Sequence, residues 1–214
     1  MSDNPALVWF GLDLRLADNP ALERAIAQQG AVLPVFLWAP DEESPWSPGA
    51  ASRWWLHQSL EELEAALAKR GSKLTVRRGP TAEALLALAA ESGAKSIFWN
   101  RRYEPAAITR DRELERRLRE RGIAAESCPG NLLFEPGTIL NASGKPYQVF
   151  TAFWRACLAM PGPAEPTPAP GDCALRHNGR LRSRSPNSVW NRRPIGRAAC
   201  ARRGGQASGA PASR

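Results

Sequence analysis

The chain has 214 residues, 43% of them hydrophobic, which is enough for one domain with its own core and a tail. Its formal net charge of +8 is lopsided: residues 1–170 hold 19 Lys or Arg against 20 Asp or Glu, whereas residues 171–214 hold 10 Arg against Asp172 alone. The basic character therefore belongs to the tail and not to the domain, and the lack of an apolar run of about 18 residues excludes a membrane-spanning helix.

The N-terminus, MSDNPALVWF, has no basic stretch ahead of its short apolar segment, so no secretory signal is expected and a cytoplasmic protein is the default reading. From there the chain repeats one unit. Apolar strands are expected at 7–10 (LVWF), 31–38 (AVLPVFLW), 73–77 (KLTVR), 95–99 (KSIFW) and 123–127 (IAAES). Helices are expected between them at about 20–29, 50–70, 81–92 and 105–121. The second helix sets Leu56, Leu60, Leu63 and Leu67 on one stripe, with Glu61, Glu62 and Glu64 facing away.

The punctuation fits. Asn19 is placed to cap the first helix with Pro20 at its first position, and Thr81 to cap the third. Gly30, Gly71, Gly93 and Gly122 each follow a helix, where a left-handed cap residue is expected. Near-continuous apolar strands alternating with helices imply an α/β doubly wound, Rossmann-like, five-stranded parallel sheet with helices on both faces. The core of this domain is expected over residues 1–130.

Beyond it the pattern loosens. Residues 131–160 read as a loop and a short helix, VFTAFWRACLAM (149–160), with Thr151 as its expected cap. Residues 161–171 (PGPAEPTPAPG) form a Pro-rich linker. Residues 172–214 lose all periodicity while Arg, Ser, Gly, Ala and Pro dominate, so a disordered tail is expected, in the style of a GC-rich gene read out of frame. Phosphate neutralisation by its arginines is conceivable, but no aromatic interleaving or reading motif accompanies them, so no nucleic-acid site is assigned. Cys128, Cys157, Cys173 and Cys200 show no metal-ligand spacing, and two histidines add little, so no metal is expected. No Walker loop and no G-x-G-x-x-G after a strand is found.

Four segments, VWFGLDLRLADNPAL, WSPGAASRWWLHQSLEELEAAL, WNRRYEPAAITRD and GKPYQVFTAFWRACL, together resemble the photolyase/cryptochrome family over residues 7 to about 160, its N-terminal α/β domain. The resemblance implies blue-light flavoproteins, most of them DNA photolyases that split pyrimidine dimers by electron transfer from excited reduced FAD. It implies in this domain an antenna chromophore, 5,10-methenyltetrahydrofolate or a deazaflavin or flavin. The helical FAD-binding domain is expected after the linker, and nothing beyond Pro170 resembles it. A truncated or frameshifted chain, inactive alone, is therefore expected, with DNA carrying pyrimidine dimers as the partner of the full-length family. The alternatives are a stand-alone pterin- or nucleotide-like ligand-binding module and a cryptochrome-type blue-light signalling fragment.

The resemblance also singles out residues. Glu104 matches the glutamate of an N-x-x-Y-E segment that serves a pterin in folate-carrying relatives, and a carboxylate can accept two hydrogen bonds from pterin N–H groups. The plainer reading of Glu104 is a helix-start acid before Pro105. Asn100 opens the same segment. Arg53, Trp46 and Trp38 border the region where other relatives hold a deazaflavin, although buried tryptophan is more often core. Asp13 and Arg15 read as a structural brace; alternate residues of an extended chain point apart, so a mutual ion pair is not implied. No residue is read as catalytic. Where the family usually has a charged pair, this chain has Gly11 and Leu12, and an exposed interdomain face is expected to promote non-specific association.

Overall fold

The computed structural model describes residues 4–43, 47–171 and Leu175. Five strands, β1 (Ala6–Phe10), β2 (Val32–Trp38), β3 (Thr75–Arg78), β4 (Ser96–Asn100) and β5 (Ala124–Cys128), form one sheet in the order β3-β2-β1-β4-β5. Every pairing is parallel. The helices are α1 (Pro20–Ala27), α2 (Ala50–Ala68), α3 (Thr81–Ser92), α4 (Pro105–Glu120) and α5 (Phe150–Ala159), and a 3-10 turn spans Pro40–Glu43.

Alternation along the strands builds the two faces. Ala6, Val8 and Phe10 of β1 join the cluster made with Leu22 of α1 and Leu60, Leu63 and Leu67 of α2. Leu7 and Trp9 join the opposite cluster, with Leu85 and Leu88 of α3 and Leu114 and Leu118 of α4. All five β1 residues are buried, which is why the strand shows no polar alternation. Each buried leucine contributes about 1.5–3 kcal/mol. On the second face Trp99 donates its indole N–H to the buried Asp111 at 3.1 Å, and Arg110 holds the same carboxylate while lying 4.8 Å over the Trp9 ring.

The doubly wound parallel sheet is as expected, and three local expectations are corrected. Asn19 does cap α1, accepting from Leu22 N at 3.2 Å, but the left-handed residue behind this helix is Gln29, not Gly30. Gly71, Gly93 and Gly122 take positive φ as expected. Thr81 is the first residue of α3 and does not cap it; the Glu42 carboxylate accepts from both Thr81 N and Thr81 Oγ1, at 2.6 Å each. That carboxylate sits at the positive end of the helix dipole, a better cap than a hydroxyl. Likewise Val149, not Thr151, takes the cap position of α5, with no side-chain bond.

The Pro-rich stretch carries no regular secondary structure yet is fastened to the domain. Asp18 N donates to Thr167 O at 2.9 Å, Arg70 Nε donates to Pro170 O at 2.9 Å, and Ala169 and Leu175 pack on the α1/α2 face. Apart from Leu175, the expected disordered tail over residues 172–214 lies outside the described residues. No helix among the described residues is long and apolar enough to cross a membrane.

Candidate functional site

Strand order reverses between β1 and β4, and in open parallel sheets ligands bind beyond the carboxyl ends of the strands at this point. The loops after these two strands are tied together there. Gly11 N donates to Asp13 Oδ1 at 2.9 Å. Asn100, the last residue of β4, donates its amide to Asp13 Oδ2 and, at 2.8 Å, to Asn19 Oδ1. Its carbonyl oxygen accepts from Ala21 N at 3.0 Å. Asn19 in turn donates to Arg15 O at 2.9 Å. One amide thus fastens the β1–α1 loop and the start of α1 to β4.

Asp13 and Arg15 do not pair with each other. Arg15 turns to Asp18, with Nε donating to its carbonyl at 3.1 Å and Nη2 lying 3.8 Å from its carboxylate. Asp18 holds a positive φ of 50°, a conformation that an aspartate tolerates better than most residues.

Three cavities open at this end of the sheet. The first, about 550 Å³, is lined by Leu12, Asp13, Arg15, Asn100, the 101–104 loop and residues 130–132. The second, about 820 Å³, lies between Leu12, Leu14 and the exposed Trp54 and Trp55 of α2. The third, about 310 Å³, is walled by Trp9, Phe36 and Trp38, with Arg102 and Arg110 at its polar side. Leu12, 69% exposed, borders all three.

Glu104 sits at the start of α4 and is half exposed. Arg102 grips it with Nη2 at 3.0 Å and Nε at 3.3 Å, and grips Glu43 with Nη1 at 2.6 Å and Nη2 at 3.3 Å. Burial alone would lower the Arg102 pKa, but the Glu43 and Glu104 carboxylates outweigh it and raise it. The hydrogen bond from Arg102 holds the Glu104 carboxyl below its usual range, against a smaller opposing effect of burial. Glu104 therefore stays ionised, and each of its oxygens, which accepts one bond from Arg102, has capacity for a second donor.

The sequence-derived candidates are distributed as follows. Glu104 and Asn100 meet at the first cavity with Asp13 and Arg15, although the Asn100 amide is engaged within the fold. Trp38 is buried at the end of β2 and walls the third cavity. Arg53 lies in the first turn of α2, its buried Nε without a hydrogen-bond partner, and lines none of these cavities, whereas its neighbour Ser52 lines two. Trp46 lies outside the described residues. Sequence reasoning missed Tyr103, Arg102, Glu43 and Glu135. The first two lie in the quoted WNRRYEP segment, but the acids that partner them come from distant loops with no local signal. Among the described residues no cluster of metal-ligating side chains is present.

Known proteins match this chain in sequence and in fold. Residues 6–171 match the family model described as DNA photolyase. The chain belongs to the DNA photolyase family. It is 43% identical over 159 residues to Cryptochrome-2 of Arabidopsis thaliana, covering 74% of this chain and 26% of that protein. It superposes on the crystal structure of a bacterial class III photolyase from Agrobacterium tumefaciens with a TM-score of 0.81 and 36% identity, covering 89% of this chain and 39% of that one. An archaeal photolyase from Sulfolobus tokodaii with two FAD molecules, described as implying a novel light-harvesting cofactor, gives a TM-score of 0.67 at 27% identity, covering 78% of this chain and 37% of that one. The chain thus spans between about a quarter and two fifths of the length of these relatives, and its photolyase-family relatives include cryptochromes as well as photolyases.

Proposed function

We propose that this chain is the antenna domain of a photolyase-family flavoprotein and holds a pterin-type chromophore, 5,10-methenyltetrahydrofolate, in the cavity between β1 and β4. The observation that carries this reading is Glu104, an ionised and half-exposed carboxylate in a cavity where Leu12, Tyr103 and Leu132 stand among the polar Asp13, Arg15 and Asn100. A pterin is flat, with apolar faces and N–H donors along one edge, so it needs apolar walls and an acceptor at one end. The residues here supply both. Arg102 keeps Glu104 charged and aimed, and Arg15, paired with the exposed Asp18, adds a cation to the same cavity for an anionic tail.

When bound, such a chromophore absorbs near-ultraviolet or blue light and passes the excitation to FAD. The ligand-holding unit comprises the sheet with residues 131–160, and the 161–171 stretch straps it. Repair of pyrimidine dimers in DNA belongs, on this reading, to the whole family protein, and this chain alone does not repair them. The test is to titrate purified chain with 5,10-methenyltetrahydrofolate and follow its absorption and fluorescence. Stoichiometric binding that Glu104→Gln weakens supports the proposal, and binding that this substitution leaves untouched overturns it. Light-driven turnover of dimer-containing DNA by chain plus FAD would overturn the statement about repair.

The third cavity favours a second reading. Trp9, Phe36 and Trp38 offer an aromatic wall and Arg102 and Arg110 offer cations, a combination suited to a flavin-type ring. A ligand there would quench the fluorescence of its tryptophan wall and would feel Glu104→Gln only through Arg102, which lines both cavities.

A further inference from the structure

One wall of the first cavity is formed by Gly130, Asn131 and Leu132, part of a stretch without helix or strand. Such a loop would ordinarily be the least defined side of a pocket. Here both of its ends are fastened to the loop that carries Glu104. At one end Gly130 N donates to Tyr103 Oη at 3.0 Å. At the other, the Glu135 carboxylate accepts a hydrogen bond from the Tyr103 hydroxyl at 2.6 Å and one from Arg101 Nη1 at 2.9 Å. Arg101 completes the frame by donating Nη2 to Ser127 O at 2.7 Å and its backbone N–H to Cys128 O at 2.9 Å.

The approach at Gly130 is close enough to dictate the residue. A Cβ built there would lie 2.1 Å from the Arg101 carbonyl oxygen and 3.1 Å from Tyr103 Cε2, so only glycine fits. Beyond Glu135, its own carbonyl accepts from Thr138 N at 3.1 Å and Thr138 Oγ1 at 2.8 Å, which closes a turn and fixes where its side chain starts. Burial and the Glu135 carboxylate raise the Tyr103 pKa, so the phenol keeps the proton it donates. Glu135 is 29% exposed and Arg101 37%; the pair is shielded by the loop it ties down and is bridged by two different donors, which distinguishes it from a lone surface ion pair.

We propose that Glu135 is a positioning residue for the ligand of this cavity: through Tyr103 and Arg101 it sets residues 130–132 at a fixed gap from Glu104, and so sets the slot that a flat ring must enter. This rests on the reading of the cavity given above, but the latch itself can be tested without a ligand. Glu135→Ala removes both acceptors. Glu135→Gln keeps an acceptor for Tyr103 and loses the charge that faces Arg101.

In the full chain, hydrogen exchange of the Gly130 amide, which donates to the Tyr103 hydroxyl that Glu135 holds, is expected to quicken by about tenfold in Glu135→Ala, the weight of one lost hydrogen bond, and less in Glu135→Gln. The amides of β1 and β4 serve as the internal reference and are expected to hold. With 5,10-methenyltetrahydrofolate as the probe, Kd is expected to rise about tenfold in Glu135→Ala, with a shifted absorption maximum as the wall leaves the ring, and Glu135→Gln to fall between. Unchanged exchange at the Gly130 amide overturns the latch. Faster exchange with an unaltered Kd and spectrum overturns its role in binding. A parent chain that takes up no chromophore overturns the ligand reading instead, and the exchange measurement still decides whether Glu135 holds the wall.

Discussion

Asn100 and Asp13, 87 positions apart, share a hydrogen bond that closes the ligand end of the sheet: the amide at the end of β4 donates to the carboxylate just past β1. The same amide reaches Asn19 and the N-terminus of α1. Asp13 is therefore an acceptor spent on holding the loop, and the neighbouring arginine serves a separate pairing with Asp18.

Asn100→Ala is accordingly expected to destabilise the domain by about 2 kcal/mol, because Ala21 N and one Asp13 oxygen lose their partners in a half-buried site. Asn100→Asp is expected to be worse at neutral pH, since it sets a second carboxylate against Asp13, and to recover part of the loss on acidification. Urea melts of both variants at pH 7 and pH 5 check this. Equal stability of the alanine variant and the parent would show that the loops hold without the crossing.

Most of this fold was legible in the sequence because buried parallel strands announce themselves as unbroken apolar runs and helices as stripes. LVWF and KSIFW are each within one residue of their strands. The cap of α3 was not legible, because the group that satisfies Thr81 is Glu42, 39 positions away, and nothing near Thr81 hints at it. The site was half legible for the same reason. Glu104 lies in a recognisable segment, whereas Glu43 and Glu135 acquire roles only when the chain brings them to Arg102 and Tyr103.

The pH dependence of binding follows from the Arg102–Glu104 contact. Arg102 holds the Glu104 pKa down in the folded chain, so this contact supports folding at pH values above the ordinary carboxylate pKa of about 4.3 and is lost as pH falls through the depressed value. Chromophore affinity is expected to be level from pH 8 down to about 5 and to decline only below the ordinary carboxylate range. Arg102→Met removes the cause, so its decline should begin at higher pH. Fluorescence titrations across pH decide this, and coincident profiles for the two proteins would refute it.

Cys128 closes β5 and is buried, and its surroundings push the thiol up to about 11. Thiolate is the reactive form, so at pH 8 only a very small fraction of this side chain can attack an electrophile. Iodoacetamide labelling followed by peptide mapping should leave Cys128 unmodified in the native chain and fully modified in urea. Rapid native labelling would mean that β5, at the edge of the sheet, opens readily.

The helix α5 presents the opposite situation: Cys157 is its one buried residue, while Phe150, Trp154 and Leu158 are exposed at 73%, 48% and 66%. Phe150 and Trp154 stack on each other with ring centres 6.3 Å apart, one turn apart on the same face, and Tyr147 lies beside Phe153. Isolated apolar side chains on a surface are ordinary, but a stacked aromatic patch in water costs free energy that association recovers. The chain is therefore expected to self-associate at micromolar concentration. Phe150→Ser together with Trp154→Ser should shift sedimentation toward monomer while leaving the melting temperature nearly unchanged, since neither ring is packed into the core. A parent chain that sediments as a sharp monomer at every concentration would show that the patch is tolerated in isolation, and a lowered melting temperature in the variant would show that α5 contributes to the domain it lies on.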